Sequence, residues 1–319
     1  MNFELAIENE GRIQQPLVLD GATLTTERRG SPGKLAFTVV KDNGLDFTEG
    51  NPVRLTAGGV RMFYGFVFTK KRDREQHISV TAYDQTRYLL NKDTCAYDNK
   101  RADEVVRMIA DGCRLQAGEI ERTGFNIPHR NEDNKTLLDM IYNALDLELT
   151  NRKQMYVFYD DCGKLALRSL ENMKVGIVID EETGENYDYT STIDDQTYNR
   201  VRLVYKNDET GKQDVYVAQS GESINRWGVL QYHDALQKGE NGEAKAAALL
   251  DLYNAKTRKL KIAKAFGDPR IRGGSLVAVK LALGDVALQN YMVVEKCAHT
   301  FAESDHRMDL TLRGGEFVG

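Results

Sequence analysis

Short runs of alternating apolar and polar residues dominate the first 97 positions of the chain. They read "ELAIEN", "QPLVLD", "LTTERR", "KLAFTVVKD", "PVRLTAG", "RMFYGFVFTK" and "HISVTAYD". Glycine, asparagine, aspartate and proline separate them, as in "GSPG" and "AGG". Many short strands at this spacing are typical of a small barrel or sandwich. We therefore predict an N-terminal β-barrel domain over residues 1–97.

The run at residues 77–83 has one apolar and one polar face. Ile78, Val80 and Ala82 share the first face, and we expect the strand to turn it toward the core. The opposite face carries His77, Ser79, Thr81 and Tyr83.

Asp84 follows this strand directly and precedes a short helical segment, "QTRYLL". At this N-cap position we expect its carboxylate to accept from the amide of Thr86 or Arg87. Tyr88 and Leu89 are then expected to close the end of the barrel. Asp84, Arg87 and Tyr88 also suggest a catalytic cluster, but the sequence supplies no base or nucleophile beside them. We favour the capping role.

The pattern becomes helical after the first domain. Asp98 or Asn99 is predicted to cap a helix that ends at Gly112, in the left-handed conformation of a C′ residue. The apolar positions of this helix are Val105, Val106, Met108 and Ile109.

A second helix is predicted to begin after Thr136, whose hydroxyl can accept from the amide near Asp139 while Asp139 reaches back, as in a capping box. Its buried face comprises Leu137, Leu138, Ile141, Tyr142 and Leu145. The next stretch, "QMYVFYDDCGKLALRSL", predicts two strands around a turn. Residues 98–175 therefore predict a small α+β domain.

Residues 176–319 predict a β-rich region with one helix, ending in a second β-barrel. The stretch "YNRVRLVYKNDETGKQDVYVAQ" is typical of a hairpin, and "GEAKAAALLDLYNAKTRKL" favours a helix. Strands follow at "KLKIAKAFG", "SLVAVKLALG", "NYMVVEKCAHTF" and "HRMDLTLRGG".

This last run of strands resembles the N-terminal one. Residues 49–55 can be aligned with 273–279, residues 66–70 with 292–296, and residues 80–84 with 310–314. Gly50 then matches Gly274, and Lys70 matches Lys296. We predict a mainly β fold in which two similar small barrels bracket the α+β domain.

Composition narrows the function classes. The chain has 319 residues, of which 41% are hydrophobic and 29% charged, and a formal net charge of −5 with both signs interspersed. Such a surface does not suggest specific nucleic-acid binding. The start, "MNFELAIENEGR", lacks the features of a secretory signal, and the apolar runs are too short for a membrane segment.

No chemical motif stands out. The five histidines and four cysteines have no metal-ligand spacing, so we expect packed or surface histidines and free thiols. Ser220 in "AQSGES" lacks the nucleophile-elbow pattern. We predict a protein that is not an enzyme, with no catalytic, cofactor-binding or metal-binding residues and no cofactor.

Carboxylates provide the best case for catalysis, because a glycosidase needs two of them about 5–10 Å apart. Asp160 with Asp161, and Asp194 with Asp195, are adjacent residues that would point to opposite faces of a strand. Asp160 and Asp161 also lie where a hairpin must turn, and we assign them a turn role. A pair formed by Asp161 and Asp194 stays open.

Several stretches resemble the XkdQ/YqbQ family of phage-tail proteins. They are "SPGKLAFTVVKD", "FTEGNPVRL", "MFYGFVFTK", "VTAYDQTRYLLNKDT", "TYNRVRLVY", "RWGVLQYH" and "HTFAESDHRMDLTLRGGEF". The similarity runs through nearly the whole chain, and the motifs are strands and turns rather than an active site.

The resemblance implies a baseplate hub of a contractile phage tail or a phage-tail-like bacteriocin, made in the bacterial cytoplasm. It implies a homotrimer whose six β-barrels form a quasi-sixfold ring between the hexameric tail tube and the trimeric central spike, with other baseplate proteins as further partners. The alternative is a tail-associated peptidoglycan hydrolase. A carbohydrate-binding module is a third reading, disfavoured because Trp227 is the only tryptophan.

Overall fold

The computed structural model describes residues 2–42, 44–206, 211–236, 240–282, 287–302 and 305–314, and most of them lie in strands. The N-terminal strands are β1 (Phe3–Asn9), β2 (Arg12–Gln14), β3 (Val18–Glu27), β4 (Lys34–Val40), β5 (Pro52–Ala57), β6 (Val60–Arg72) and β7 (His77–Tyr83). A 3-10 helix, Gln85–Leu90, follows. The middle part comprises β8 (Lys92–Lys100), α1 (Ala102–Gly112), β9 (Ala117–Ile120), β10 (Ile127–Thr136), α2 (Leu137–Arg152), β11 (Tyr156–Asp160), β12 (Leu165–Ser169) and a second 3-10 helix, Leu170–Met173.

The described residues of the C-terminal part form eleven further elements. They are β13 (Lys174–Ile179), β14 (Asn186–Thr192), β15 (Arg200–Lys206), β16 (Gln213–Gln219), α3 (Gly221–Trp227), β17 (Gln231–Ala235), α4 (Gly242–Tyr253), β18 (Thr257–Phe266), β19 (Leu276–Ala282), β20 (Ala287–Ala302) and β21 (Asp305–Gly314).

Thirteen strands form one sheet that runs through both ends of the chain. Its main path is β14-β18-β21-β20-β3-β4-β7-β6-β5-β1-β2, and β19 joins it through β20 and carries β13. Among the described strands, no sheet closes on itself, so the predicted two-barrel arrangement is not confirmed. The pairing of β3 with β20 instead unites the two β regions in a continuous sheet.

The two ends of this sheet nevertheless repeat one strand order. We call β1 and β3 to β7 the N-terminal unit, and β13, β14 and β18 to β21 the C-terminal unit. Their orders are β3-β4-β7-β6-β5-β1 and β14-β18-β21-β20-β19-β13. One difference is that β1 runs antiparallel to β5, whereas β13 runs parallel to β19.

The backbone before β5 and β19 supports the predicted match of Gly50 with Gly274. Both glycines have left-handed backbones, with φ of 87° and 95°. The amide of Gly50 donates to the carbonyl of Val67 at 2.8 Å, and that of Gly274 donates to Val294 at 2.7 Å. Val67 and Val294 each donate back to the residue after their glycine. The two units therefore begin this hairpin in the same way.

The same bonds show that the predicted match of residues 66–70 with 292–296 was wrong by one residue. Val67 corresponds to Val294, so Lys70 corresponds to Cys297 rather than to Lys296. The pairing partners agree, because Lys70 lies opposite Val80 and Cys297 lies opposite Leu310. The predicted match of Lys70 with Lys296 relied on residue identity alone. The correct alignment of β6 with β20 follows from their backbone hydrogen bonds.

The buried side chains form several hydrophobic clusters. One fills the N-terminal unit and includes Phe301, which β20 supplies from the other unit. A second lies between α1, α2 and the neighbouring strands, and a third fills the C-terminal unit. Leu89 belongs to the second cluster, so the prediction that it closes a barrel was wrong. The boundaries 1–97, 98–175 and 176–319 stay a prediction.

The start of α1 differs from the prediction. Asp98 and Asn99 lie in β8, which pairs with β10, so neither caps the helix. Arg101 is the N-cap, and its amide donates to the Glu104 carboxylate at 2.8 Å. The helix ends at Gly112 as predicted, but the left-handed residue beyond it is Arg114, with φ of 55°.

Other local predictions agree with the structure. The Thr136 hydroxyl accepts from the amide of Asp139 at 3.0 Å, and it donates to the Asp139 carboxylate at 2.6 Å. The hairpins β11–β12 and β15–β16 are confirmed, although residues 207–210 of the second turn lie outside the described residues. Helix α4 is shorter than predicted, because residues 257–260 pair in β18, and α3 was not predicted.

Candidate functional site

Asp84 caps the 3-10 helix after β7, as predicted. Its Oδ1 accepts from the amide of Thr86 at 3.0 Å and from the Thr86 hydroxyl at 2.5 Å. Its Oδ2 accepts from the amide of Gly33, before β4, at 2.9 Å. The side chain is buried. Asp84 therefore also ties β7 to the turn before β4.

Asp160, at the end of β11, has the predicted turn role and a second one. Its Oδ1 accepts from the amide of Gly163 at 2.7 Å, inside the hairpin turn. Its Oδ2 accepts from the side-chain amide of Gln85 at 2.6 Å. Because Gln85 follows Asp84, the two aspartates are neighbours across the boundary between the N-terminal unit and the middle part.

Arg272, between β18 and β19, completes this arrangement. It donates from its guanidinium to the carbonyl of Asp160 at 3.0 Å. The same group lies over the ring of Tyr159, 3.9 Å from its centre. We call Asp84, Gln85, Asp160 and Arg272 the junction cluster, because three parts of the chain meet there.

Burial dominates the electrostatics of the two carboxyl groups in the junction cluster. Burial raises the pKa of Asp84 above its ordinary value. Burial also raises the pKa of Asp160, and the nearby charge of Asp84 raises it further. The positive charge of Arg272 acts in the opposite direction on both. The cavity beside the pair measures about 10 Å³, which leaves room for a water molecule but not for a sugar ring.

The side chains of Arg87 and Tyr88 pack on phenylalanine rings rather than bonding to the Asp84 carboxylate. The guanidinium of Arg87 lies over the ring of Phe68, 5.4 Å from its centre. Tyr88 packs edge-on against Phe66, with 6.1 Å between ring centres. The three residues that suggested chemistry in the sequence therefore serve two separate structural purposes.

The other candidate residues have structural contacts of their own. The amide of Asp161 donates to the carbonyl of Lys164 at 2.7 Å and closes the hairpin turn. Asp195 pairs with Lys259. The pairing of Asp161 with Asp194 stays a hypothesis. Ser220 caps α3, accepting from the amide of Ser223 at 3.3 Å.

A buried histidine pair lies beside Phe301. Nε2 of His299 donates to the carbonyl of Ile271 at 2.8 Å, so its Nδ1 accepts from Nε2 of His306 at 2.9 Å. Burial lowers the pKa of both imidazoles, to about 4 for His299. This pair was not predicted, because the two residues meet only when β20 folds against β21.

Across the described residues, no group of three or more histidine, cysteine or acidic side chains is arranged to hold a metal ion. Over the same residues, no helix is long and apolar enough to cross a bilayer.

The chain is similar to known proteins over most of its length. YqbQ and the phage-like element PBSX protein XkdQ, both from Bacillus subtilis strain 168, are 28% and 27% identical to it. The alignments cover 92% of this chain and 91% and 92% of those proteins. One of the proteins similar in sequence to this chain is therefore a protein of a phage-like element.

Solved structures share the fold. The 43 kDa tail protein of prophage MuSo2 from Shewanella oneidensis has a TM-score of 0.70 at 12% identity, with 99% of this chain and 100% of that chain covered. The Escherichia coli c3393 protein, a component of the type VI secretion system that is structurally similar to the T4 tail proteins gp27 and gp5, has a TM-score of 0.60 at 10% identity, with 99% and 78% covered. The YQBQ-like family matches residues 22–313. The chain therefore belongs to the YQBQ-like family.

Proposed function

We propose that this protein is a structural hub of a contractile-tail baseplate, in a phage or a phage-tail-like bacteriocin, and that it assembles as a homotrimeric ring. The observation that carries the proposal is the repeated strand order of the N-terminal and C-terminal units. Three copies of a two-unit chain present six similar units around one axis. Such a ring matches a hexameric tube on one side and a trimeric spike on the other.

The comparisons support this role. A phage-like element protein is similar to this chain in sequence. A prophage tail protein and a type VI secretion component, itself related in structure to tail proteins, are similar to it in fold. We propose the tail tube protein, the central spike protein and other baseplate proteins as partners, and the tail baseplate as the site of assembly.

We propose that the role is not enzymatic. The two carboxyl groups that the fold brings together, on Asp84 and Asp160, hold neighbouring backbone and side-chain amides beside a cavity of about 10 Å³. A glycosidase needs a cleft in which two carboxylates flank the scissile bond. The junction cluster instead stabilises the arrangement of the three parts of the chain.

Mass measurement of the purified full chain tests the proposal. At micromolar concentration we expect a species with three times the mass of one chain, and capture of the tube and spike proteins of the same particle. A strict monomer that captures neither protein contradicts the proposal. A suspension of bacterial cell walls provides the enzymatic control, and clearing of it by the protein would contradict the non-enzymatic role.

A further inference from the structure

The joint between the two units lies within one chain and follows a defined register. Strand β20 of the C-terminal unit pairs antiparallel with β3 of the N-terminal unit. The pairs run from Lys296 opposite Glu27 to Phe301 opposite Ala22. An ion pair of 3.0 Å between Lys296 and Glu27 reinforces them. By strand order, β20 is the counterpart of β6 in the C-terminal unit. The joint therefore pairs the counterpart of β6 with β3 of the other unit.

Strand β6 corresponds to β20, and β14 corresponds to β3. Among the described strands, neither β6 nor β14 has a partner in another unit. The segment of β6 from Thr69 to Arg72 corresponds to the paired part of β20, and among the described strands it pairs only with β7. Strand β14 corresponds to β3, and among the described strands it pairs only with β18. Each chain thus presents one open edge of each kind, and open edges readily pair with other strands.

We propose that β14 of one copy pairs antiparallel with the end of β6 in the next copy, repeating the β3–β20 joint around a closed ring. This inference rests on the trimer proposed above and specifies its interface. Two edges of different kinds meet head to tail, so three copies close a ring of six units through three internal and three intermolecular joints.

The register of the proposed joint follows from the internal one. Leu24 in β3 lies opposite Leu35, and Tyr189 in β14 lies opposite Leu260, at the matching position of the other unit. The internal register then transfers to the interface. The predicted pairs along the end of β6 are Thr69 with Thr192, Lys70 with Ser191, Lys71 with Thr190, and Arg72 with Tyr189.

Burial at the matching positions agrees with a missing neighbour on β14. In β3, Ala22 is 3% exposed and Leu24 is 2% exposed. Their counterparts in β14 are Tyr187, which is 42% exposed, and Tyr189, which is half-buried. A strand laid against β14 would cover both tyrosines.

Charge favours this pairing over the alternatives. The β6 edge carries Lys71 and Arg72, and the turn after it carries Arg74. All three are exposed, and none forms an ion pair within the described chain. The β14 edge carries Asp188, and the turn before it contains Asp180, Glu181, Glu182 and Glu185. Pairing β6 with a second β6, or β14 with a second β14, would place like charges together, which is destabilising.

Individual contacts fit the proposed register. Arg72 lies opposite Tyr189, where its guanidinium can stack on the ring. Lys71 lies diagonally across from Asp188, a spacing that long side chains can bridge. Asp73 follows the last residue of β6, and its carboxylate is turned into its own hairpin, where it accepts from two backbone amides.

A cysteine pair tests the register directly. Lys71→Cys and Thr190→Cys are introduced together into the full chain, because directly opposed residues fall within disulfide range. Under mild oxidation we expect covalent dimer and trimer as the main species on a denaturing gel. The wild type, which has four thiols of its own, and each single variant serve as controls. Lys71→Cys with Asn186→Cys is the matched control, since it moves one thiol four residues along β14, roughly 13 Å.

A charge exchange provides a second readout that needs no new thiol. Lys71→Glu should weaken association about fivefold for each interface, and adding Asp188→Lys should restore it. A wild-type trimer that neither cross-links through this pair nor responds to Lys71→Glu overturns the interface and leaves the proposed trimer standing. A wild-type chain that stays monomeric overturns both.

Discussion

The N-terminal and C-terminal units share strand order and register but differ at the positions where units join. The joining face of β20 carries Cys297, His299 and Phe301, each at most 1% exposed. The residues of β6 that match Cys297 and His299 are Lys70 and Arg72, and Arg72 is exposed. One scaffold thus carries a permanent apolar joint within the chain and a charged open edge elsewhere. The strand order sets where a joint can form, and the side chains set how permanent it is.

The end of β7 and the end of β21 provide a second contrast. Asp84 follows β7 and braces the exit into the middle part, whereas the matching residue is Gly314, the last residue of β21. Gly314 has no side chain to hold a helix or a second strand. The aspartate therefore serves the exit from the N-terminal unit, where it caps the 3-10 helix and holds the turn before β4.

The largest expected effect comes from breaking the internal joint at Gly21. Its φ is 81°, and an added Cβ would lie 1.6 Å from the carbonyl oxygen of Phe301, so β3 could not approach β20. Gly21→Ala should lower the free energy of unfolding by about 4 kcal/mol or more. Urea unfolding measures this. Gly30→Ala is the matched control, because Gly30 also has positive φ, 91°, but open space around it, and should cost only about 1 kcal/mol. Equal losses in the two variants would contradict the role of the joint.

Truncating matching side chains should show the asymmetry between the units. Phe301 is fully buried in the cluster of the N-terminal unit, so Phe301→Ala should cost about 3–5 kcal/mol. On the matching edge of the N-terminal unit, Arg72 is exposed, and Arg72→Ala should change the stability of the single chain by less than about 0.5 kcal/mol. Thermal and urea unfolding of both variants check this. Similar losses would show that the two edges are not used differently.

The junction cluster predicts a pH-dependent difference that the shared scaffold alone would not give. Because the pKa of Asp160 is raised on folding, the proton it holds stabilises the folded state at low pH, and this contribution is lost as pH rises above the ordinary carboxyl value of 3.8. Asp160→Asn keeps an acceptor for Gly163 and removes the titration. The variant should match the wild type near pH 4 and be more stable by roughly 2 kcal/mol at pH 8.

Urea unfolding at both pH values measures this difference. Because the pKa values of His299 and His306 are lowered, this pair makes stability rise with pH. The contribution is the same in the wild type and in Asp160→Asn, so it cancels from the difference between them. A stability difference that is the same at pH 4 and pH 8 would contradict the assignment.

The smallest expected effect concerns the ion pair across the internal joint. Lys296 is half-exposed and lies 3.0 Å from Glu27, so Lys296→Ala should cost about 0.5 kcal/mol. The matching residue in β6 is Thr69, and Thr69→Ala should leave the stability of the single chain nearly unchanged. Chemical unfolding in low and in 1 M salt separates the two, since only the first loss should shrink with salt.

Local patterns predicted much of this fold. The cap at Asp84, the cap at Thr136 and the faces of strand 77–83 each depend on residues within four positions, and each is found as expected. The start of α1 was wrong because Asp98 and Asn99 pair with a strand about thirty residues away, and no local signal records that.

The junction cluster could be predicted only in part. Asp84 and Asp160 were each assigned a local role correctly, but the bond from Gln85 to Asp160 spans 75 residues and depends on how the middle part docks. Arg272 enters from still farther away, 112 residues beyond Asp160. The repeat was visible in glycine and strand pattern, yet its register needed the backbone bonds of Val67 and Val294.

The β3–β20 joint also has a consequence for the newly made chain. Its two sides are widely separated, with Arg28 bonded to Glu295 across 267 residues. At ordinary rates of protein synthesis, β3 emerges from the ribosome roughly 15 to 50 s before β20 does. During that interval its edge has no partner, so nascent chains on one messenger can pair wrongly with each other. We expect chaperone supply and growth temperature to govern the yield of folded protein more than the stability of the finished chain does.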